Sequence, residues 1–564
     1  MIERGSLADA LVAAARTANG IRAIEHDGRT LLLPYKTLLG DALTIAGTLH
    51  ARGLTPGDRV ALVVPEVSDF IRAFFGISAA GLVPVPLCPP AQAGDLPTFA
   101  RQSRHILAAS RASAVVTSDE VAPLLVHDGS AFAPPIHTVA ALLQDGPPLS
   151  QPVGVSMAAP ALLQFTSGST AAPKGVVLTH ANIHANVDAI TGPHGLDVRR
   201  SDVGVSWLPL YHDMGLIGML LSAVYSGADS IILSPVLFLK RPTVWLETIS
   251  KYRGTVSFAP NFAYELCLRR VKPSQIDALD LSSWRVAGCG AEPIRPDALV
   301  AFAERFERAG FRASSFLTSY GLAEHALAVA FAPNGLTVDT VDAERLVRRS
   351  VAMPGANGST QVVRLVGCGR AFPGHELRIV DDEGRPLPDR HVGTIVARGP
   401  SVMQGYFEDP IATAEALGSG WLHTGDLGYL ADGHLYVCGR TKDLITRQGR
   451  KYHPPDLESA IADVPGVRPT GVVVFGISRP THADQVVAVL EARASVTPDD
   501  VVEQVRRRVR ETAGLELDCV VIAPPGTIPR TTSGKVRRAE ARDRFAAGTL
   551  TAAAPRTTEP QPER

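Results

Sequence analysis

One alternation restricts the fold more than any other feature of this chain. Short runs rich in β-branched residues recur, and stretches of helical periodicity separate them. "RVALVVP" (59–65), "SAVVTS" (113–118), "DSIILSP" (229–235) and "GTVSFAP" (254–260) read as strands, while "SDFIRAFFGISAAG" (68–81) and "RPTVWLETISKYRG" (241–254) read as helices. Strands joined through helices run parallel, because a parallel return needs a long crossover. The expectation is an α/β fold whose large N-terminal domain holds two helix-covered, mostly parallel sheets. At 564 residues the chain exceeds one ordinary core, so a smaller domain should accompany it. No fixed repeat period is visible.

The pattern changes after about residue 365. "HELRIVDDEGRPLPDRHVGTIVARGPSVMQGYF" has short strands between Asp/Glu/Gly turns, as in a small, barrel-like antiparallel β subdomain over about 366–438. A second change follows "DGHLYVCGRTKDLI" (432–445): helical "PPDLESAIADV", strands "TGVVVFGIS" and "QVVAVLEA", and the helix "PDDVVEQVRRRVRETAG" suit a separate α+β domain. The expected division is 1–438, a hinge at 439–443 carrying Lys442 and Asp443, a mobile domain at 444–545, and a disordered tail at 546–564.

Charge excludes one class of partner. Lys plus Arg (55) and Asp plus Glu (56) nearly cancel, which argues against a nucleic-acid binder. Six scattered cysteines without a CxxC pair read as buried thiols of a cytoplasmic protein. The N-terminus looks like a short helix capped by Ser6 and not a signal peptide, and the longest apolar run, "MGLIGMLLSAVYSGA" (214–228), is too short to span a bilayer and reads as a core helix.

"QFTSGSTAAPKG" (164–175) carries the first chemical signal. Thr166, Ser167, Ser169 and Thr170 offer hydroxyls and N–H groups, Gly168 allows close approach, and Lys174 adds positive charge, a set that could surround phosphate oxygens. It fails the GxxxxGK[ST] pattern, since Gly175 follows the lysine and "VVLT" continues as a strand. Alone, such a segment serves equally as a polar turn. Six further motifs follow it: "SWLPLYHDMGLIG" (206–218), "GCGAEPI" (288–294), "TSYGLAEHAL" (318–327), "WLHTGDLGYL" (421–430), "CGRTKDLI" (438–445) and "IPRTTSGKVRR" (528–538). In this order they resemble the adenylate-forming superfamily of acyl-CoA synthetases, nonribosomal adenylation domains, luciferases and fatty acyl-AMP ligases, over about residues 10–545.

The resemblance implies roles. ATP and Mg²⁺ would be required. Thr166 to Thr170 and Lys174 would clasp the phosphates, and Glu324 would hold Mg²⁺ as a hard oxygen donor. Gly290, Ala291, Glu292, Tyr320 and Gly321 would surround adenine and ribose, with Asp426 accepting from the ribose hydroxyls and Arg440 donating beside it. Lys535 would be the catalytic lysine bridging the carboxylate and α-phosphate, and His212 would position the acyl carboxylate.

Four features are similar to the fatty acyl-AMP ligase branch: "WLPLYHDMGLIG", "FAPNFAYELCLRRV" (258–271), "GRKYHPPDLE" (449–458), and a stretch from Phe331 to Gly369 that looks like that branch's insertion. Lys451 and Tyr452 depart from its signature. The implied activity is formation of acyl-AMP from a fatty acid, then transfer to the phosphopantetheine thiol of an acyl carrier protein or synthase carrier domain acting in trans on a monomeric enzyme. A medium- or long-chain acyl-CoA synthetase is the alternative, and an inactive nucleotide- or acyl-binding scaffold is the alternative of another class.

Overall fold

The alternating runs form two sheets in the computed structural model, which describes residues 5–90, 96–125, 133–166, 173–356, 361–447, 450–479, 482–492, 498–531 and 535–550. The larger sheet has nine strands. Gly20–Ile24, Asp229–Leu233, Val203–Ser206, Val256–Ala259, Val286–Cys289 and Phe316–Gly321 lie side by side and parallel. Thr30–Pro34 closes one edge antiparallel, and Ala328–Ala332 and Arg370–Ala371 close the other. The second sheet has four parallel strands in the order Val83–Pro86, Arg59–Val63, Ala114–Thr117, Ile136–Thr138.

A layer of helices separates the sheets. Tyr35–Ala51 and Val67–Ala79 contribute Leu38, Ile45, Phe70 and Phe74 to one core that also holds Ile21 and Ile232 of the large sheet and Val60 and Leu62 of the small one. Gly76 lets these helices approach: a Cβ there would lie 2.4 Å from the Ile45 methyl. The expected core helix at 214–228 is wound more widely at its start. Met214–Leu221 is a π-helix, Ser222–Ser226 continues it as α-helix, and Asp213 Oδ1 accepts the Met214 N–H at 2.7 Å.

Pro160–Thr166, Lys174–Thr179 and Gly405–Tyr406 form a three-stranded antiparallel sheet, so the segment after Lys174 is a strand as expected. The subdomain expected to be barrel-like is an open antiparallel ladder of Glu376–Val380, Gly393–Arg398, Leu422–Ala431 and His434–Arg440. Among the described residues no pairing joins its two edge strands.

The C-terminal segment builds its own cores through strand alternation. In Val467–Arg479, Val472 and Val474 face the helices Pro454–Ala462 and Pro498–Ala513, whereas Val473 and Phe475 face Ala541 of Arg538–Ala546. His482–Ala492 pairs with that strand antiparallel, and Cys519–Ala523 joins in parallel. The stretch from Phe331 to Gly369 folds as a hairpin, Val338–Asp342 with Val362–Val366, carrying the helix Ala343–Arg349. Val347 of that helix packs against the C-terminal core. Five cysteines are buried, but Cys88, expected to be buried too, is partly exposed. No helix among the described residues is long and apolar enough to cross a membrane.

Candidate active site

A cleft of about 1120 Å³ opens between the C-terminal ends of the large sheet's strands and the C-terminal segment. That volume accommodates more than one drug-sized ligand. Thr166, Lys174, His212, Ala291, Glu292, Tyr320, Gly321, Glu324, Asp426, Arg440, Lys442, Asp443 and Lys535 all line it. Gly290 does not. It is buried, and a Cβ there would meet Ser319 Oγ at 2.3 Å, so its place in "GCGAE" is a packing requirement. Ser167, Gly168, Ser169 and Thr170 lie outside the described residues.

Asp426 and Arg440 face one another as cross-strand partners, which is why two motifs fourteen positions apart act on one spot. Arg440 Nε lies 3.3 Å from Asp426 Oδ1, and the Tyr320 hydroxyl donates to Asp426 Oδ2 at 2.7 Å. Burial raises the Asp426 carboxyl, while Arg440 and Tyr320 oppose that rise. Each oxygen still has a lone pair for an incoming hydroxyl.

Glu324 sits on the single 3₁₀ turn Ala323–His325 that follows the Phe316–Gly321 strand. Its Oε1 accepts the Tyr406 hydroxyl at 2.8 Å, and its backbone carbonyl accepts the Met403 N–H. The Tyr406 ring in turn carries the Lys174 ammonium at 4.9 Å. Tyr406 therefore ties Lys174 to Glu324. It was not singled out in the sequence, where "QGYF" only closes a run of short strands and turns; its place beside Val176 comes from strand pairing across more than two hundred residues.

Lys535 enters from the C-terminal segment. Its backbone is fixed by a reciprocal pair with Thr531, N–H to Oγ1 at 3.0 Å and Thr531 N–H to the Lys535 carbonyl at 2.7 Å. The ammonium acts on His212, Asp213, Glu292 and Asp426 together, so three cleft motifs converge on it. Burial, then Lys535, lowers the His212 imidazole to about 3. It is a neutral ring at any physiological pH, which suits positioning and not proton transfer. Burial pushes the Glu292 carboxyl up to about 7, with Glu265 adding to the rise and the Phe262 N–H, Lys535 and Arg530 opposing it.

The segment Thr441–Asp443 is one 3₁₀ turn. Asp443 pairs with Arg538, which also donates to both Glu458 oxygens at 2.8 and 2.9 Å and to the Val474 carbonyl at 2.9 Å. Across the cleft mouth, Arg295 donates to Asp463 at 2.8 Å. The cleft also has an apolar side, where Ile190, Met214, Gly218, Phe258, Leu327 and Phe331 lie together.

The model of the AMP-binding enzyme family matches residues 12–407, well over half of the chain. The chain belongs to the AMP-binding enzyme family. A second model, described as the AMP domain of Disco-interacting protein 2-like proteins, matches residues 442–555. This AMP-binding enzyme is 39% identical over 555 residues to a Caulobacter vibrioides protein provisionally named acyl-CoA synthetase, with 96% of each chain covered. It is 34% identical over 540 residues to the medium-chain-fatty-acid–[acyl-carrier-protein] ligase JamA of Moorena producens, covering 92% of this chain and 90% of that one. A solved structure from work on fatty acyl-adenylate ligases of E. coli and L. pneumophila superposes with a TM-score of 0.90 at 38% identity, covering 98% and 99%. The two-sheet architecture and the following α+β segment are those of an adenylate-forming enzyme, and the protein is an adenylate-forming ligase that binds ATP.

Proposed function

We propose that this ligase activates a fatty acid as its acyl-adenylate and passes the acyl group to the phosphopantetheine thiol of a carrier protein. The observation that carries the reading is the convergence of Lys535 with His212, Asp213 and Asp426 beside an apolar wall. A fatty acid has no charge along its chain to bury, so the only ion to satisfy is its carboxylate, and Lys535 and neutral His212 meet it. The names of the carrier-protein ligase and the acyl-adenylate ligases among the relatives support the acceptor and the substrate class. The provisional acyl-CoA synthetase name of one relative keeps coenzyme A as the competing acceptor.

In the first step a carboxylate oxygen of the fatty acid attacks the α-phosphorus of ATP, the bond to the β-phosphate oxygen breaks, and pyrophosphate leaves. Lys535 neutralises charge that builds between carboxylate and phosphate, a role for a pre-placed cation in a reaction dominated by electrostatics. Thr166 and Lys174 bind the outer phosphates. Tyr320 and the backbone at Ala291 and Gly321 flank adenine, and Asp426 with Arg440 orients the ribose. Mg²⁺ fits Glu324, a hard carboxylate that Tyr406 links to Lys174. That ion would neutralise the leaving pyrophosphate.

In the second step the thiolate sulfur attacks the acyl carbonyl carbon and AMP leaves. We infer a division at 439–443, with the segment after Asp443 turning as one body about Lys442 and Asp443 between the two steps. The hairpin and helix of 338–366, packed on the C-terminal core through Val347, would restrain that motion and disfavour coenzyme A. The enzyme works as a monomer with its carrier in trans, and six cysteines outside any disulfide suit the cytoplasm. Pyrophosphate release on mixing ATP with a fatty acid tests the reading; no release with any chain length refutes it.

A further inference from the structure

By resemblance Glu292 belongs beside adenine, yet its carboxylate is engaged on the acyl side. Its Oε1 accepts the Phe262 N–H at 2.7 Å. Phe262 sits in the first turn of the helix Asn261–Arg270, whose N-cap is Pro260 and which no cap side chain serves. First-turn N–H groups have no partner within their own helix, so an acceptor from another segment satisfies one here. A second bond runs in the opposite sense: the Arg295 N–H donates to Asn261 Oδ1 at 3.0 Å. Asn261 Nδ2 then donates to Glu265 Oε1 at 2.9 Å, and the Arg295 guanidinium lies 3.6 Å from that same oxygen. Residues 292–295 and 261–265 thus hold each other by reciprocal bonds, in a region where Asn261 and Glu265 are both more than nine-tenths buried.

The helix start that this clamp holds is part of the apolar cleft wall. Phe258, just before it, tilts against Phe331 with ring centroids 5.9 Å apart. Phe262 meets Trp207 edge-on at 5.8 Å, and Trp207 is stacked on Phe238 at 3.9 Å. The outer side of the wall rests on an aromatic core; its cleft side depends on the clamp. Removing the Glu292 acceptor leaves a half-buried N–H without that partner and frees the helix to shift, which moves Phe262 and Phe258 together.

We propose that Glu292 and Asn261 are positioning residues that fix the Phe258–Phe262 wall of the acyl channel and thereby set which chain lengths fit. The inference rests on the fatty-acid reading above. It separates chain selection from nucleotide binding, although Glu292 lies in a motif that the resemblance assigns to the nucleotide.

Steady-state pyrophosphate release is measured for a series of fatty acids of increasing length, and for ATP, with the wild type, Glu292→Ala, Glu292→Gln and Asn261→Ala. Glu292→Ala is expected to raise KM for the best fatty acid by ~10-fold, the scale of a lost bond to a charged acceptor, and to displace the chain-length optimum. KM for ATP stays within about 2-fold. Asn261→Ala reproduces the displacement, and Glu292→Gln, which keeps an acceptor oxygen, recovers most of the loss. A raised KM for ATP with an unchanged chain-length profile overturns the inference and returns Glu292 to the nucleotide. Equal losses at every chain length, with a lowered melting temperature and no rescue by Gln, overturn it as mere destabilisation. A wild type that releases no pyrophosphate with any fatty acid refutes the fatty-acid reading itself, and the inference with it.

Discussion

Arg538 joins three separate pieces of the C-terminal segment, and Arg538→Met removes all of its bonds at nearly constant volume. Its side chain is 15% exposed, and its carboxylate partners Asp443 and Glu458 are 14% and 18% exposed. Burial already raises the Glu458 carboxyl, and Arg538 is the main group opposing that rise. Asp456, two residues earlier on the same helix, is itself pushed up to about 7 by burial, with Glu458 adding to the rise. Without the guanidinium, Glu458 and Asp443 become buried charges with no counter-ion, a situation that costs about 3–5 kcal/mol. The cost depends on pH with a definite sign. A carboxyl whose folded-state pKa lies above its unfolded value keeps its stability at low pH and loses it as pH rises through the folded value, so the deficit is largest at high pH and shrinks as pH falls and Glu458 takes up a proton. Urea unfolding followed by circular dichroism, repeated across pH, measures it. A loss below about 1 kcal/mol that does not change with pH would refute the reasoning, since it would mean that water already screens the network.

Lys535→Ala should slow acyl-AMP formation by about 10²–10³-fold, the scale of one pre-placed electrostatic group, while hydrolysis or transfer of supplied acyl-AMP is nearly unchanged; single-turnover assays of each step separate the two. His212→Asn should raise KM for the fatty acid but leave the shape of the pH–rate profile between about 6 and 9 as in the wild type, because an imidazole lowered to about 3 does not titrate there. Loss of an ionisation in that variant would make His212 an acid–base group after all. Tyr406→Phe keeps the ring under Lys174 and removes only the donor to Glu324; kcat/KM for ATP is expected to fall by ~10-fold, with KM for the fatty acid unchanged.

The strands and helices around the cleft were legible because their residues carry local signals. "RVALVVP" and "DSIILSP" are buried on both faces and read as strands from composition alone, and Ser6 caps its helix as expected, with Asp9 completing a capping box. The wide winding of Met214–Leu221 left no local signal, because the same apolar run suits an α-helix equally. The open shape of the 376–440 ladder was hidden for a related reason: alternation predicts strands but not whether their edges meet. Within the site, Asp426 and Arg440 could be paired only by family order until the ladder register put them opposite one another. Tyr406, and the bond from Glu292 to the Phe262 N–H, depend on contacts between segments dozens to hundreds of residues apart, which one sequence does not encode in any local pattern.

A cleft of this build makes a fatty acyl-adenylate and hands it to a carrier thiol, and the choice of acceptor tests that most directly. One fatty acid and ATP are offered to the enzyme with either a phosphopantetheinylated carrier protein or free coenzyme A, and acyl-AMP, acyl-carrier and acyl-CoA are quantified by mass spectrometry. The expected result is acyl-AMP in both mixtures, rapid acyl-carrier formation in the first, and little acyl-CoA in the second. Rapid acyl-CoA formation with no preference for the carrier would contradict it.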